Sequence, residues 1–148
     1  MKRTIIIALA AFFLLSGCSA EYQLERREDK LIGAWAFDKA YYNEDGAIFR
    51  DNVIREFDGD IIEFFSDFSC VYDDYSLRSA FWGDWTLNYE RGYFDDEPDI
   101  DFFLDMTFFD RGRVAFSYFS SVTLLTNNRL HIRVHDRRGV YTFKLRRI

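Results

Sequence analysis

Two histidines, two cysteines and one dense run of carboxylates are the residues of this 148-residue chain whose types could do chemistry. His131 and His135 stand four apart in "RLHIRVHD", alternating with Leu130, Ile132 and Val134. On a strand rising 3.3 Å per residue they share a face about 13 Å apart, too far to ligate one metal ion. The alternation also turns them outward beside Arg129 and Arg133, so a Ser-His-Asp or Cys-His centre has no base to use. In "YFDDEPDID" the side chains of Asp95, Asp96, Glu97, Asp99 and Asp101 fall within seven positions. Such hard oxygen ligands could hold calcium, but the stretch lacks the glycine and spacing of a calcium loop and reads as a solvated inter-strand loop. No two carboxylates are paired in a cleft that would split their pKa values for hydrolysis. Cys70 reads as a small buried hydrophobe. The expectation is a protein that is not an enzyme, with no catalytic residue, no metal and no cofactor.

The other cysteine has a different setting. "MKRTIIIALAAFFLLSGC" carries Lys2 and Arg3, an uncharged apolar run from Ile5 to Leu15, then Ser16 and Gly17 before Cys18. This is the charged region, apolar core and small-residue cleavage site of a secretory signal, and it is shorter than the roughly 20 residues a membrane-spanning helix needs. "LSGC" further resembles the lipobox of bacterial lipoproteins. That resemblance implies that Cys18 is acylated on sulfur with palmitate-class chains and becomes the new N-terminus. At about 0.8 kcal/mol per buried methylene, two or three acyl chains suffice to hold a domain on a membrane. In Gram-negative lipoproteins an Asp after the cysteine marks inner-membrane retention; Ser19 therefore implies the outer membrane. The expected partition is a signal peptide over 1–17, a lipidated N-terminus and polar tether over 18–30, and one domain over 31–148.

Removing residues 1–17 takes away two basic residues and no acid, so the formal charge of −6 becomes −8. Nucleic acid is therefore not an expected partner. With Cys18 acylated no internal disulfide is available, and the core must rest on 17 Phe, 9 Tyr and 3 Trp. Charge is unevenly spread. Residues 129–148 hold seven basic residues against one acidic, and residues 51–110 hold 17 acidic against three basic. A basic outer face could meet an anionic partner such as lipid headgroups, or simply attract neighbouring strands.

These residues must be positioned by strands. "LIGAWAFDKAYYN" reads as the first, followed by a turn at "NEDG"; "DIIEFF" and "CVYDDY" form a hairpin across "SDFS". "GDWTLNYE" alternates with Trp85, Leu87 and Tyr89 on one face. "DIDFFLDMTF" sends Ile100, Phe102, Leu104 and Met106 inward. "RVAFSYFSSVTLLT" is one long strand with a bend expected at Ser120 and Ser121. "TNNR" is a two-residue turn, since Asn tolerates positive φ, before the closing hairpin of "RLHIRVHD" and "GVYTFKLRRI". "NVIREF" is open between a short helical turn and an extra strand. Short antiparallel strands, little helix signal and one proline predict an all-β barrel or sandwich.

"LIGAW" resembles the G-x-W of the first lipocalin strand, with Gly33 and Trp35 in the matching places. "IIEFFSDFSCVYD", "GDWTL" and "VTLLTNNRLHIRV...GVYTFKL" resemble later strands of lipocalin-like lipoproteins of bacterial envelopes. The resemblance implies an antiparallel up-and-down eight-stranded lipocalin-like barrel. It implies a structural role for Gly33 and Trp35, with Trp35 packed against a basic side chain near the last strand; Arg146 and Lys144 are the candidates. Phe68 stands where that hairpin usually has Gly, so a wider turn is expected. By fold analogy a small apolar or amphipathic ligand would enter an interior lined by Phe64, Trp85, Tyr89, Phe102, Phe116, Tyr118 and Phe143. The alternative is an envelope interaction or inhibitor protein acting through its outer surface, without a ligand cavity.

Overall fold

Inward apolar residues at every second position, on strands linked by tight turns, give a sheet that must either hide one face or close on itself. This chain closes. The computed structural model describes residues 20–94 and 97–148, and of residues 92–94 and 97–99 the backbone alone; Cys18 and segment 1–17 lie outside the described residues. The strands are β1 (Gly33–Glu44), β2 (Asp51–Asn52), β3 (Ile61–Phe64), β4 (Ser69–Asp74), β5 (Ser79–Phe94), β6 (Glu97–Asp110), β7 (Arg113–Leu125), β8 (Arg129–Asp136) and β9 (Gly139–Arg147). From β3 to β9 each pairs antiparallel with the next, β3 pairs back to β1, and β9 pairs with β1 from Trp35↔Arg147 to Glu44↔Gly139. The result is a closed eight-stranded up-and-down barrel, to which the two residues of β2 add a short bridge on the outer part of β1.

"NVIREF" resolves into both of its alternatives, the bridge at Asp51–Asn52 and a 3-10 turn at Ile54–Glu56. The Asn52 side chain accepts a hydrogen bond from the Ile54 amide at 3.1 Å, which starts the turn. Val53, Ile54 and Phe57 pack against the core, so this connection folds into the far end of the barrel, where β1 ends.

Residues 20–31 form a helix, α1, where a polar tether without periodicity is expected. Its charged residues are good helix formers. Leu24 and Leu31, two helical turns apart, pack on the core, Leu31 fully buried. The clamp that holds α1 is Arg147. Its Nη1 donates to Ile32 O at 2.6 Å, its Nη2 to Lys30 O and its Nε to Asn127 O at 2.5 Å, while its guanidinium lies 4.5 Å from the centre of the Trp35 ring. Trp35 Nε1 donates to Leu31 O at 2.7 Å. Carbonyls that a helix end leaves without partners are thus taken up by one guanidinium and one indole.

Neither Arg146 nor Lys144 meets Trp35. Phe143 and Leu145 are buried and face inward, and strand alternation then puts Arg147 inward and Lys144 and Arg146 outward. Gly33 has φ +121, and a Cβ there would fall on the Arg147 guanidinium, which is why glycine stands two residues before Trp35.

Two turns differ from expectation. Phe68 adopts φ 65 and the hairpin stays tight, with Phe68 N donating to Phe65 O at 3.2 Å and Phe65 N to Ser69 O at 3.0 Å. The Phe68 ring leans on Trp85 at 5.1 Å, and the Asp67 carboxylate accepts from the Ser69 amide and hydroxyl, which lowers its pKa. In "TNNR" neither Asn has positive φ; Thr126 Oγ1 instead accepts from the amides of Asn128 and Arg129. β7 is continuous, and its irregularities fall at Ala115, opposite Phe108 and Phe109, and between Val122 and Leu124, rather than at Ser120 and Ser121. Ser120 is buried and satisfied, its hydroxyl donating to Leu104 O at 2.9 Å.

Arg147→Lys keeps the charge but cannot span three carbonyls, and urea denaturation should show a loss of about 1.5–3 kcal/mol; an unchanged midpoint would remove the clamp from the account. At position 68, Ala keeps the left-handed backbone cost of about 1–2 kcal/mol and loses the ring, whereas Gly loses only the ring. Phe68→Gly should therefore melt above Phe68→Ala, and the reverse order would show that the backbone there is not strained.

Candidate functional site

The barrel interior was the first candidate. Phe64, Trp85, Phe102 and Phe143 are buried, and Tyr89, Phe116 and Tyr118 are partly buried against the core, so all seven face inward. They do not share one open space. Phe64 and Trp85 meet edge to face at 5.7 Å, and Trp85 Nε1 donates to Phe65 O at 3.1 Å. Phe116 contacts Tyr72 at 5.6 Å, Phe81 at 5.2 Å, Phe108 at 4.9 Å and Tyr118 at 5.5 Å. Phe143 contacts Phe37 at 5.3 Å, Phe57 at 4.9 Å and Tyr118 at 6.4 Å. Rings from β1, β4, β5, β6, β7, β9 and the 3-10 connection thus pack on one another across the lumen. Phe57 arrives from a connection, a contact that strand periodicity gives no means of finding.

The polar groups at this end are satisfied internally. Buried Asp60 accepts the Tyr72 hydroxyl on Oδ2 and the Tyr75 amide on Oδ1 at 2.9 Å. Burial, then the Asp60 hydrogen bond, drives the Tyr72 pKa far above its ordinary value, and burial raises that of Tyr118 to about 12. Both phenols stay protonated at any physiological pH, which suits anchoring and not proton transfer. Burial, with Asp84 nearby, pushes the Cys70 thiol up to about 12.

His131 and His135 lie on the outer face of β8, as their alternation predicts, and pair across to Lys144 and Val140. Burial lowers the His131 pKa, and Lys144 and Arg129 add to the effect. The acidic stretch is the end of the long β5–β6 hairpin, with Gly92↔Asp99 and Phe94↔Glu97 in register, rather than a free loop; residues 95 and 96 lie outside the described residues. Among the described residues no group of three His, Cys, Asp or Glu side chains is arranged to hold a metal ion.

The outer wall supplies two further features, of which strand alternation marks only the first. Outward positions Val71, Trp82, Phe109 and Val114 are register partners on β4, β5, β6 and β7, so they form one apolar row across four strands. Trp82 is 63 % exposed and Val114 61 %, and Phe65 stacks on Trp82 at 6.4 Å. Glu63 lies opposite Val71 in register, Asp73 and Asp84 follow two positions along on the same face, and all three are exposed.

The second feature is a groove of about 670 Å³ between β6 and β7. The two strands pair from Asp110↔Arg113 only as far as Phe103↔Ser121, after which β6 continues with β5 while β7 follows β8. The parted strands leave a slot lined by Phe102, Phe103, Val122, Leu124 and Leu125, with Arg27 of α1 and Arg133 of β8 at its edge. The Arg27 guanidinium sits 3.9 Å from the centre of the Phe102 ring, and burial lowers its pKa.

No protein-family model matches the chain, and no curated protein matches it. Among solved structures it is similar to a lipocalin-like protein from Bacteroides uniformis ATCC 8492, at 16 % identity and a TM-score of 0.49, over 80 % of this chain and 99 % of that one.

Thiol reagents at pH 8 should leave Cys70 unmodified in the folded protein and label it fully in urea. Fast labelling of the native protein would contradict both its burial and its raised pKa.

Proposed function

We propose that this is a lipoprotein of the bacterial cell envelope, anchored by acyl chains on Cys18 and held at the outer membrane, which is not an enzyme and acts as an interaction protein through the outside of its barrel. The supporting observation is the row Val71, Trp82, Phe109 and Val114. Folding gains nothing from leaving these side chains in water, and an exposed Trp on a barrel wall invites association, so a contiguous apolar row is best accounted for by a partner that covers it. The exposed carboxylates of Glu63, Asp73 and Asp84 beside the row fit a protein surface carrying apolar and basic groups. The same carboxylates disfavour an anionic lipid surface as the occupant. The ring-packed interior argues against an interior ligand.

The experiment uses cells carrying the full chain with a photo-cross-linking residue at position 82. Illumination should give a discrete protein adduct in the membrane fraction, and Cys18→Ala should move the protein to the soluble fraction. No adduct from positions 82 and 109 alike would overturn the surface reading. Membrane retention of Cys18→Ala would overturn the anchor.

A further inference from the structure

The basic wall of β8, β9 and β1 goes beyond this reading, because it lies on strands that take no part in the apolar row. Alternation directs Arg129 and His131 of β8 and Lys144 and Arg146 of β9 outward. The register then sets cation against cation. Arg129 stands opposite Arg146, His131 opposite Lys144, and Lys144 on its other side opposite Lys39 of β1. Directly opposed residues hold their Cβ atoms about 4.5–5.5 Å apart, and like charges at that spacing destabilise a sheet. Attraction between neighbouring strands of opposite sign, one reading of the uneven charge, is therefore not what these residues supply.

The backbone shapes a hollow around these cations. β1 carries an irregularity between Phe37 and Lys39, and because Phe37 and Ala40 are both buried, the extra residue leaves Asp38 and Lys39 exposed side by side. Beside this bulge lies a hollow of about 220 Å³ lined by Asp38, Lys39, Arg129, His131, Lys144 and Arg146. It is smaller than the roughly 300–1,000 Å³ of drug-sized sites, which suits a compact polyatomic ion. Lys39, Arg129, Lys144 and Arg146 face one carboxylate, Asp38, so the hollow favours an anion of more than one charge. His131 is half-buried, and with its pKa lowered by burial, Lys144 and Arg129 it stays an uncharged N–H donor at neutral pH.

We propose that this hollow binds the phosphate group of a phosphate ester, its oxygens accepting hydrogen bonds from Arg129, Lys144 and Arg146. Guanidinium forks match pairs of oxygens on a tetrahedral oxyanion, and an ammonium adds a compact charge between them. A bound dianion gives the opposed cations a shared counter-charge, and the repulsion left without it is stability given up for binding. A soluble ester and a lipid headgroup present the same group to this chemistry.

Calorimetric titration of the purified full chain with glycerol 3-phosphate, at constant ionic strength in chloride, tests this. Saturable binding is expected, and Arg129→Gln and Lys144→Gln should each weaken it about ten-fold. Arg133→Gln removes the same charge from the outer face of β8 outside the hollow, and should change it by less than about two-fold. The ester should raise the melting temperature of the wild-type chain and not that of Lys144→Gln, which in chloride alone should melt no lower than wild type. Phosphatidylcholine vesicles with and without phosphatidic acid separate the two sources, with Cys18→Ala removing the anchor. Retention on the acidic vesicles that depends on Lys144 assigns the hollow to a lipid headgroup, and calorimetric binding without retention assigns it to a soluble ester. No Lys144-dependent binding in either format, equal weakening by Arg133→Gln and Lys144→Gln, or a Lys144→Gln chain that melts below wild type in chloride would each overturn the proposal.

Discussion

The constraint on which the rest of the structure depends is the position of one guanidinium. A barrel built as a meander needs its first and last strands joined, and Arg147 sits opposite Trp35 at that seam, at the end where α1 arrives. Hydrogen bonds from Arg147 reach the carbonyls of Lys30, Ile32 and Asn127, so the helix, the first strand and the β7–β8 turn share one donor group. The charge is affordable there because the ring of Trp35 covers one face and carbonyl oxygens surround the edge. The demand extends to Gly33, where any side chain would occupy the space of the guanidinium.

The interior follows a different logic. Eight strands enclose a lumen that is either a pocket or a core, depending on side-chain volume. Here aromatic rings of neighbouring and next-nearest strands meet at 4.9–6.4 Å, and Phe57 from the 3-10 connection packs on Phe37 and Phe143. Asp60 belongs to the same closure, because its carboxylate ties the start of β3 to Tyr72 and to the Tyr75 amide. The interior is thus a packed core, and the acid-flanked apolar row and the slot where two strands part both lie on its wall.

Much of this was legible in the sequence. Alternation alone oriented Trp85, Leu87, Phe102, Leu104, Leu130, Ile132 and Val134 correctly, because a closed sheet has one dry face and a period of two. The same rule, carried two residues past Leu145, points to Arg147; the choice of Arg146 or Lys144 overlooked that parity. It also marks Trp82 as an outward aromatic, since Trp85 faces inward three positions on. Other features had no local signal. α1 is concealed by its charged residues, with Ala20, Leu24 and Leu31 as its only buried or core-packed apolar positions. Phe68 in a left-handed turn is a tertiary choice, made where its ring can lean on Trp85. The parting of β6 from β7 depends on the unequal lengths of neighbouring ladders, which no single strand's pattern encodes.

The docking of α1 also has a mechanical side. A chain pulled by its first residues, as one acylated at Cys18 would be, ordinarily stretches a slack linker and lets its domain tumble. Twelve helical residues span about 18 Å and do not stretch, and this helix ends in hydrogen bonds to the barrel's seam. A load applied at the start of α1 would therefore pass along the helix and through Arg147 into β9 and β1, with no slack linker between helix and barrel to take it up.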